Sequence, residues 1–163
     1  MILEEKVKEI YELNEILTSY RVASSLINWD MTTGGSKKGM EYRAKMLGTY
    51  TLKSMEVQTG DRMKETLDYL GKNLDELDVK VRRMYEMGMR EYERYINIPK
   101  DEAKAYAELQ AMAQIVWEDA KAKNDFNIFK DVLGEVIEYQ KRFIRYRGYV
   151  ENPYNILLDD YEE

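Results

Sequence analysis

The stretch LDELDVKVRRMYEMGMREYERYINIP, Leu74–Pro99, decides how the rest of the chain reads. Leu74, Leu77, Val81, Met84, Gly88, Tyr92 and Tyr95 recur every three or four residues, and charged residues fill the gaps. That period places the apolar side chains on one face of an α-helix and the charges on the other. The stretch also contains its own stop. Ile98 precedes Pro99, and a residue before proline is pushed out of the helical region, so Asn97-Ile98-Pro99 ends the helix. Pro99 then suits the start of the next one, with Asp101 and Glu102 near its positive end.

The same spacing extends in both directions. Leu3, Val7, Ile10, Asn14 and Leu17 continue through Arg21, Leu26 and Trp29, which predicts a first helix at least about three dozen ångströms long. Thr32-Thr33-Gly34-Gly35-Ser36 breaks it. Arg43, Leu47, Tyr50, Ser54 and Val57 form a second helical face. Thr59-Gly60-Asp61 reads as a stop and a cap before a short third helix to Leu70. Gly71-Lys72-Asn73 separates that helix from the fourth. Ala103, Ala107, Gln110, Gln114 and Trp117 carry a fifth helix to about Lys123. Asn124 or Asp125 is placed to cap a sixth, which runs through Phe129, Val132, Val136, Gln140, Phe143 and Ile144 and ends at Gly148. The stretch from Glu151 to Glu163 has room for one short turn. No segment sustains a period of two. The expectation is an all-α bundle of five to six helices with short loops, forming a single helical domain over residues 1–163.

Composition narrows the chemistry. Among 163 residues there is no His and no Cys, only 2 Pro and 9 Gly, and 25 basic against 31 acidic residues, a net charge of −6. Without Cys there is no disulfide, thiolate nucleophile or Cys-bound metal. Without His there is no Ser-His-Asp triad and no HExxH zinc helix, and no Glu-x-x-His pair for a di-iron bundle. The acidity argues against a nucleic-acid partner, and no run approaches the roughly 20 apolar residues of a membrane span. Met1-Ile2-Leu3-Glu4-Glu5-Lys6 is charged from its fourth residue and does not read as a signal peptide. A cytoplasmic location is the default expectation.

Several segments can be read as chemistry or as structure. The acidic run Asp159, Asp160, Glu162 and Glu163 lacks the spacing and turn glycine of a calcium loop and reads as a solvated terminus. Lys141, Arg142, Arg145 and Arg147, interleaved with Phe143, Tyr146 and Tyr149, match a phosphate-binding pattern, but equally the last turns of a helix whose negative end attracts cations. Gly34-Gly35-Ser36-Lys37-Lys38-Gly39 lacks full P-loop spacing and follows a helix, so it reads as a connection. Of the 14 tyrosines, Tyr85, Tyr92, Tyr95 and Tyr106 are expected to bury their rings and keep their hydroxyls wet. Asn28-Trp29-Asp30 precedes the Gly-rich turn. There Asp30 can cap the following segment and Trp29 fill the core, or the two can serve a groove. No catalytic, cofactor-binding or metal-binding residue is assigned.

Read together, Ser25-Leu26-Ile27-Asn28-Trp29-Asp30-Met31-Thr32-Thr33 resembles an "LLxWDxxT" opening, and Arg43-Ala44-Lys45-Met46-Leu47 an "RAxxL" helix. Arg90-Glu91-Tyr92-Glu93-Arg94 with Ile98-Pro99 is similar to "YxRxxxIP". Trp117-Glu118-Asp119-Ala120 with Asp125-Phe126-Asn127-Ile128-Phe129 is similar to "WxxAR…DFxxF", and residues 153–162 to "xYDxLLDxYE". This ordered set resembles the N-terminal region of the thermostable metallocarboxypeptidase, or carboxypeptidase Taq, family. The chain departs from it at Asp131, where the family has proline, at Lys121, where it has arginine, and after Thr33, where the usual prolines are missing.

The resemblance implies a helical fold and a cytoplasmic zinc enzyme that removes C-terminal residues from peptides, typically as a homodimer with a deep groove. It places the HExxH helix and a further glutamate ligand in a later part of the family's sequence. No zinc ligand carries over to any residue here, so no cofactor is expected in this chain, and no activity from it alone. Three roles follow: a groove wall or lid that needs the catalytic half as partner, a standalone peptide- or protein-binding module without catalysis, or a carboxylate-based enzyme or metal-binding bundle of its own.

Overall fold

The computed structural model describes residues 2–149 and 151–160. These contain seven α-helices and no strand: α1 (Ile2–Thr33), α2 (Met40–Gln58), α3 (Asp61–Gly71), α4 (Val79–Tyr95), α5 (Lys100–Lys123), α6 (Asn127–Arg147) and α7 (Pro153–Asp159). The all-α expectation holds, with one helix more than the five to six foreseen. The addition is α7, where the Asn152 side chain accepts the Tyr154 N–H at 2.9 Å and Pro153 fills the first turn. None of the described helices is long and apolar enough to cross a membrane.

Three boundaries differ from the sequence reading. The stripe from Leu74 is not helical at its start. Leu74–Glu76 is a 3₁₀ turn, Leu77 is extended, and α4 begins only after Asp78, whose carboxylate accepts the Val81 N–H at 2.9 Å. Leu77 is still buried with Val81, so the apolar period held although the backbone left the helix. Asn124 does not cap α6. It ends α5 in the left-handed region at φ 50°, and Asp125 accepts the Asn127 N–H at 3.0 Å instead. Gly60, not Asp61, takes the N-cap position of α3. Gly148 ends α6 as expected, at φ 72°.

α1, about 48 Å long at 1.5 Å per residue, spans two separate cores. Its first half buries Ile10 and Leu13 against Met63, Leu67 and Leu70 of α3 and Val81 of α4. Its second half lays Ile27 and Met31 against Ala44 and Leu47 of α2 and Ala111 of α5. A third cluster joins Met55, Ile98 and Ala103, with Phe143 and Tyr146 of α6 packed on it. α2 and α5 approach closely because small residues face each other. A Cβ on Gly48 would lie 2.9 Å from the Lys104 carbonyl oxygen and 2.5 Å from Glu108 Cγ. The close α2–α5 pair, with α1 on one side and α6 on the other, leaves an open furrow along α5.

Candidate functional site

The furrow consists of two adjoining cavities. The first, about 440 Å³, is walled by α1, α2 and α5. The second, about 390 Å³, lies between α2, α4, α5 and α6, and Thr51, Ala107 and Gln110 line both. On α5 the lining positions Ala107, Gln110, Ala111, Gln114, Ile115 and Glu118 follow the helical period, so one face of that helix forms the floor. α1 contributes Ser24, Asn28, Met31 and Thr32 by the same spacing. The first cavity thus has an apolar base and a rim of hydroxyls and carboxamides.

The second cavity ends in a cluster of charges. Asp160 pairs with Arg94 at 2.7 Å and with Arg147 at 2.8 Å, and Asp159 pairs with Arg90 at 3.1 Å. These bonds clasp the end of α7 to α4 and α6. Asp159 and Asp160 are exposed, as the sequence reading expected of a solvated terminus, but half-buried guanidinium groups hold them in ion pairs. Glu162 and Glu163 lie outside the described residues. Beside the clasp, burial and the Glu91 carboxylate push the Tyr95 hydroxyl pKa up.

In the basic–aromatic run on α6, Lys141, Arg142 and Arg147 are paired with acids within the fold. Arg142 meets Glu102 at 3.1 Å and stacks over Tyr139, Arg147 meets Asp160, and Lys141 meets Glu138 at 2.7 Å. The Tyr146 hydroxyl donates to Glu102 at 2.7 Å, which raises its pKa, since an anionic neighbour disfavours the phenolate. Lys37–Gly39 is a short 3₁₀ turn. Tyr106 is buried with its ring against Phe143, and its hydroxyl accepts a bond from Gln140 at 2.6 Å.

Trp29 and Asp30 are placed differently from the expectation. Trp29 is 69% exposed. It lies two residues from both Ile27 and Met31, about 200° around the helix, and those two face the core. Val22 and Leu26 continue its exposed stripe, at 52% and 65%. Asp30 is no side-chain cap. Its backbone carbonyl accepts the Gly35 N–H at 2.7 Å, and its carboxylate pairs with the Arg43 Nε, tying α1 to α2.

Among the described residues no three of His, Cys, Asp and Glu gather in a way that could hold a metal ion. The sequence contains neither His nor Cys, so this chain's donors do not fit a catalytic zinc. What sequence reasoning missed is the furrow. Its signal was present in Gln110 and Gln114, two uncharged amides on a helix face otherwise read as apolar.

Known proteins are similar to this chain in sequence and fold. Carboxypeptidase 1 of Bacillus subtilis is 41% identical over 155 residues, which is 95% of this chain and 31% of the relative. Thermostable carboxypeptidase 1 of Pyrococcus furiosus is 32% identical over 98% of this chain and 33% of its own length. The BsuCP crystal structure superposes with a TM-score of 0.94 at 40% identity, covering 97% of this chain and 32% of that one. The Pyrococcus furiosus carboxypeptidase Apo-Mg structure gives 0.75 at 29% identity, covering 98% of this chain. The chain spans about a third of the length of these relatives. The family model for carboxypeptidase Taq (M32) metallopeptidases matches residues 6–163, and the chain belongs to that family.

Proposed function

We propose that this chain acts as the N-terminal helical part of a zinc metallocarboxypeptidase and forms one wall of its peptide groove, while the metal is held by the remaining two thirds of the family's length. One observation carries the reading: nearly the whole chain superposes on about a third of a carboxypeptidase. The absence of His and Cys from the sequence supports it, because a zinc-bound water needs donors that this chain does not supply. The exposed Val22–Leu26–Trp29 stripe fits a surface that a larger polypeptide covers. It fits a standalone binding module equally well, which is the second reading. A cytoplasmic location and a homodimeric whole belong to the same proposal.

The purified chain, incubated with zinc or cobalt and a peptide with a free carboxyl terminus, is expected to release no C-terminal residue, and a carboxyl-blocked peptide serves as control. Metal-dependent release would overturn the claim that the chain is inactive alone. Co-expression with the complementary two thirds of the Bacillus subtilis relative separates the two readings. A stable, metal-dependent peptidase complex supports the groove wall, and failure to co-purify supports the standalone module.

A further inference from the structure

The lining of the first cavity is unlike the rest of the surface. The chain is 34% charged, yet of the cavity's twelve lining residues only Glu118 carries a charge. Ser24, Asn28, Thr51 and Gln110 make no side-chain hydrogen bond to any described residue, and Gln114 donates to Glu118 at 2.9 Å, leaving its own carbonyl oxygen to accept. Carboxamides offer a donor and an acceptor on one group, the complement of a peptide unit. Met31, Leu47, Ala111 and Ile115 supply an apolar base between them.

Spacing selects among possible ligands. Gln110 and Gln114 stand one helical turn apart, and so do Ser24, Asn28 and Thr32 across the cleft. Four residues of helix rise about 6 Å, and two residues of extended peptide rise about 6.7 Å. A peptide lying along α5 therefore offers a fresh N–H and C=O to each successive amide, with alternate side chains directed to the base. Sharing Thr51, Ala107 and Gln110 with the second cavity lengthens the track. An acidic side chain in the first cavity would lose water and gain no cation.

We propose that the α1–α2–α5 cleft binds an extended, uncharged peptide segment through its main chain, with Asn28, Gln110 and Gln114 as the hydrogen-bonding contacts. The proposal rests on the groove-wall reading for the nature of its occupant. It goes beyond that reading by fixing the face, the contacts and the charge preference.

The test is an amide-resolved NMR titration of the 163-residue chain with an N-acetylated hexapeptide of alternating alanine and glutamine. Shifts are expected to concentrate in residues 24–32 and 107–118. Asn28→Leu and Gln110→Leu, both at exposed positions, should each weaken binding about fivefold, the equivalent of one lost hydrogen bond of about 1 kcal/mol. An alanine–aspartate hexapeptide should bind at least about tenfold more weakly. Shifts absent at millimolar peptide or scattered over other faces, unchanged affinity in both folded variants, or equal binding of the acidic peptide would each overturn the assignment. The titration decides the cleft, and the activity of the co-expressed complex decides the reading beneath it. An active complex with a silent titration removes the cleft alone. A clear titration with no complex removes the groove-wall reading alone.

Discussion

At the scale of single residues, the chain depends on contacts between distant positions that sequence patterns do not show. Gly48 is one. It gives no turn signal, but its missing side chain lets α2 meet α5, and a Cβ would strike the backbone of Lys104. Gly48→Ala should cost about 1–3 kcal/mol by urea unfolding, the usual range for overpacking. Glu9 is another. Lys6 at 2.7 Å, Arg62 at 2.7 Å and the fully buried Thr66 hydroxyl at 2.8 Å surround its carboxylate. The Lys6 bond foremost, then Arg62 and Thr66, lower its pKa from 4.5 to about 2. The folded value lies below the unfolded one, so this stabilisation is complete above about pH 4.5 and lost as pH falls toward 2. At 1.36 kcal/mol per pKa unit its ceiling is about 3 kcal/mol, and Glu9→Gln should flatten the acid limb of the stability–pH curve. Asp30→Ala should cost no more than about 1 kcal/mol by the same unfolding assay, since the Arg43 pair is partly exposed and the turn's backbone bonds remain.

At the scale of elements, existence was easier to read than termini. The three–four stripes located α1 to α6, because burying one face of a helix imposes that period on the sequence whatever the partner is. Ends depend on which polar side chain reaches which orphan N–H. Asp78 and Asp125 decided α4 and α6, and either end had neighbours equally suited by type. α7 shows the other limit. Its seven residues are too few to hold a helix alone. Part of its hold is the clasp of Asp159 and Asp160 on arginines 90, 94 and 147, between 13 and 69 positions away. Asp160→Asn should therefore speed amide exchange in residues 154–159 about tenfold, a local opening, and leave exchange in α3 unchanged.

At the scale of the whole molecule, the division into separate apolar clusters sets where substitution is felt. Leu67, 1% exposed, sits in the cluster of α1, α3 and α4, and Leu67→Ala should cost about 2–5 kcal/mol in thermal or urea unfolding. Leu26→Ala and Trp29→Ala, on the exposed stripe, should change the stability of the chain by less than about 0.5 kcal/mol. By itself the sequence determined the helical class, the order of the elements, the family resemblance and the absence of His and Cys. All four depend on residue type and spacing along the chain, which hydrophobic periodicity and the chemistry of single side chains make legible. Only the tertiary structure decided that Trp29 faces outward, that Asp159 and Asp160 are clasped, and that Asn28 and Gln110 share one cleft. Those outcomes depend on how helices cross, and crossing is fixed by side-chain packing between residues tens of positions apart, a relation that no local period encodes.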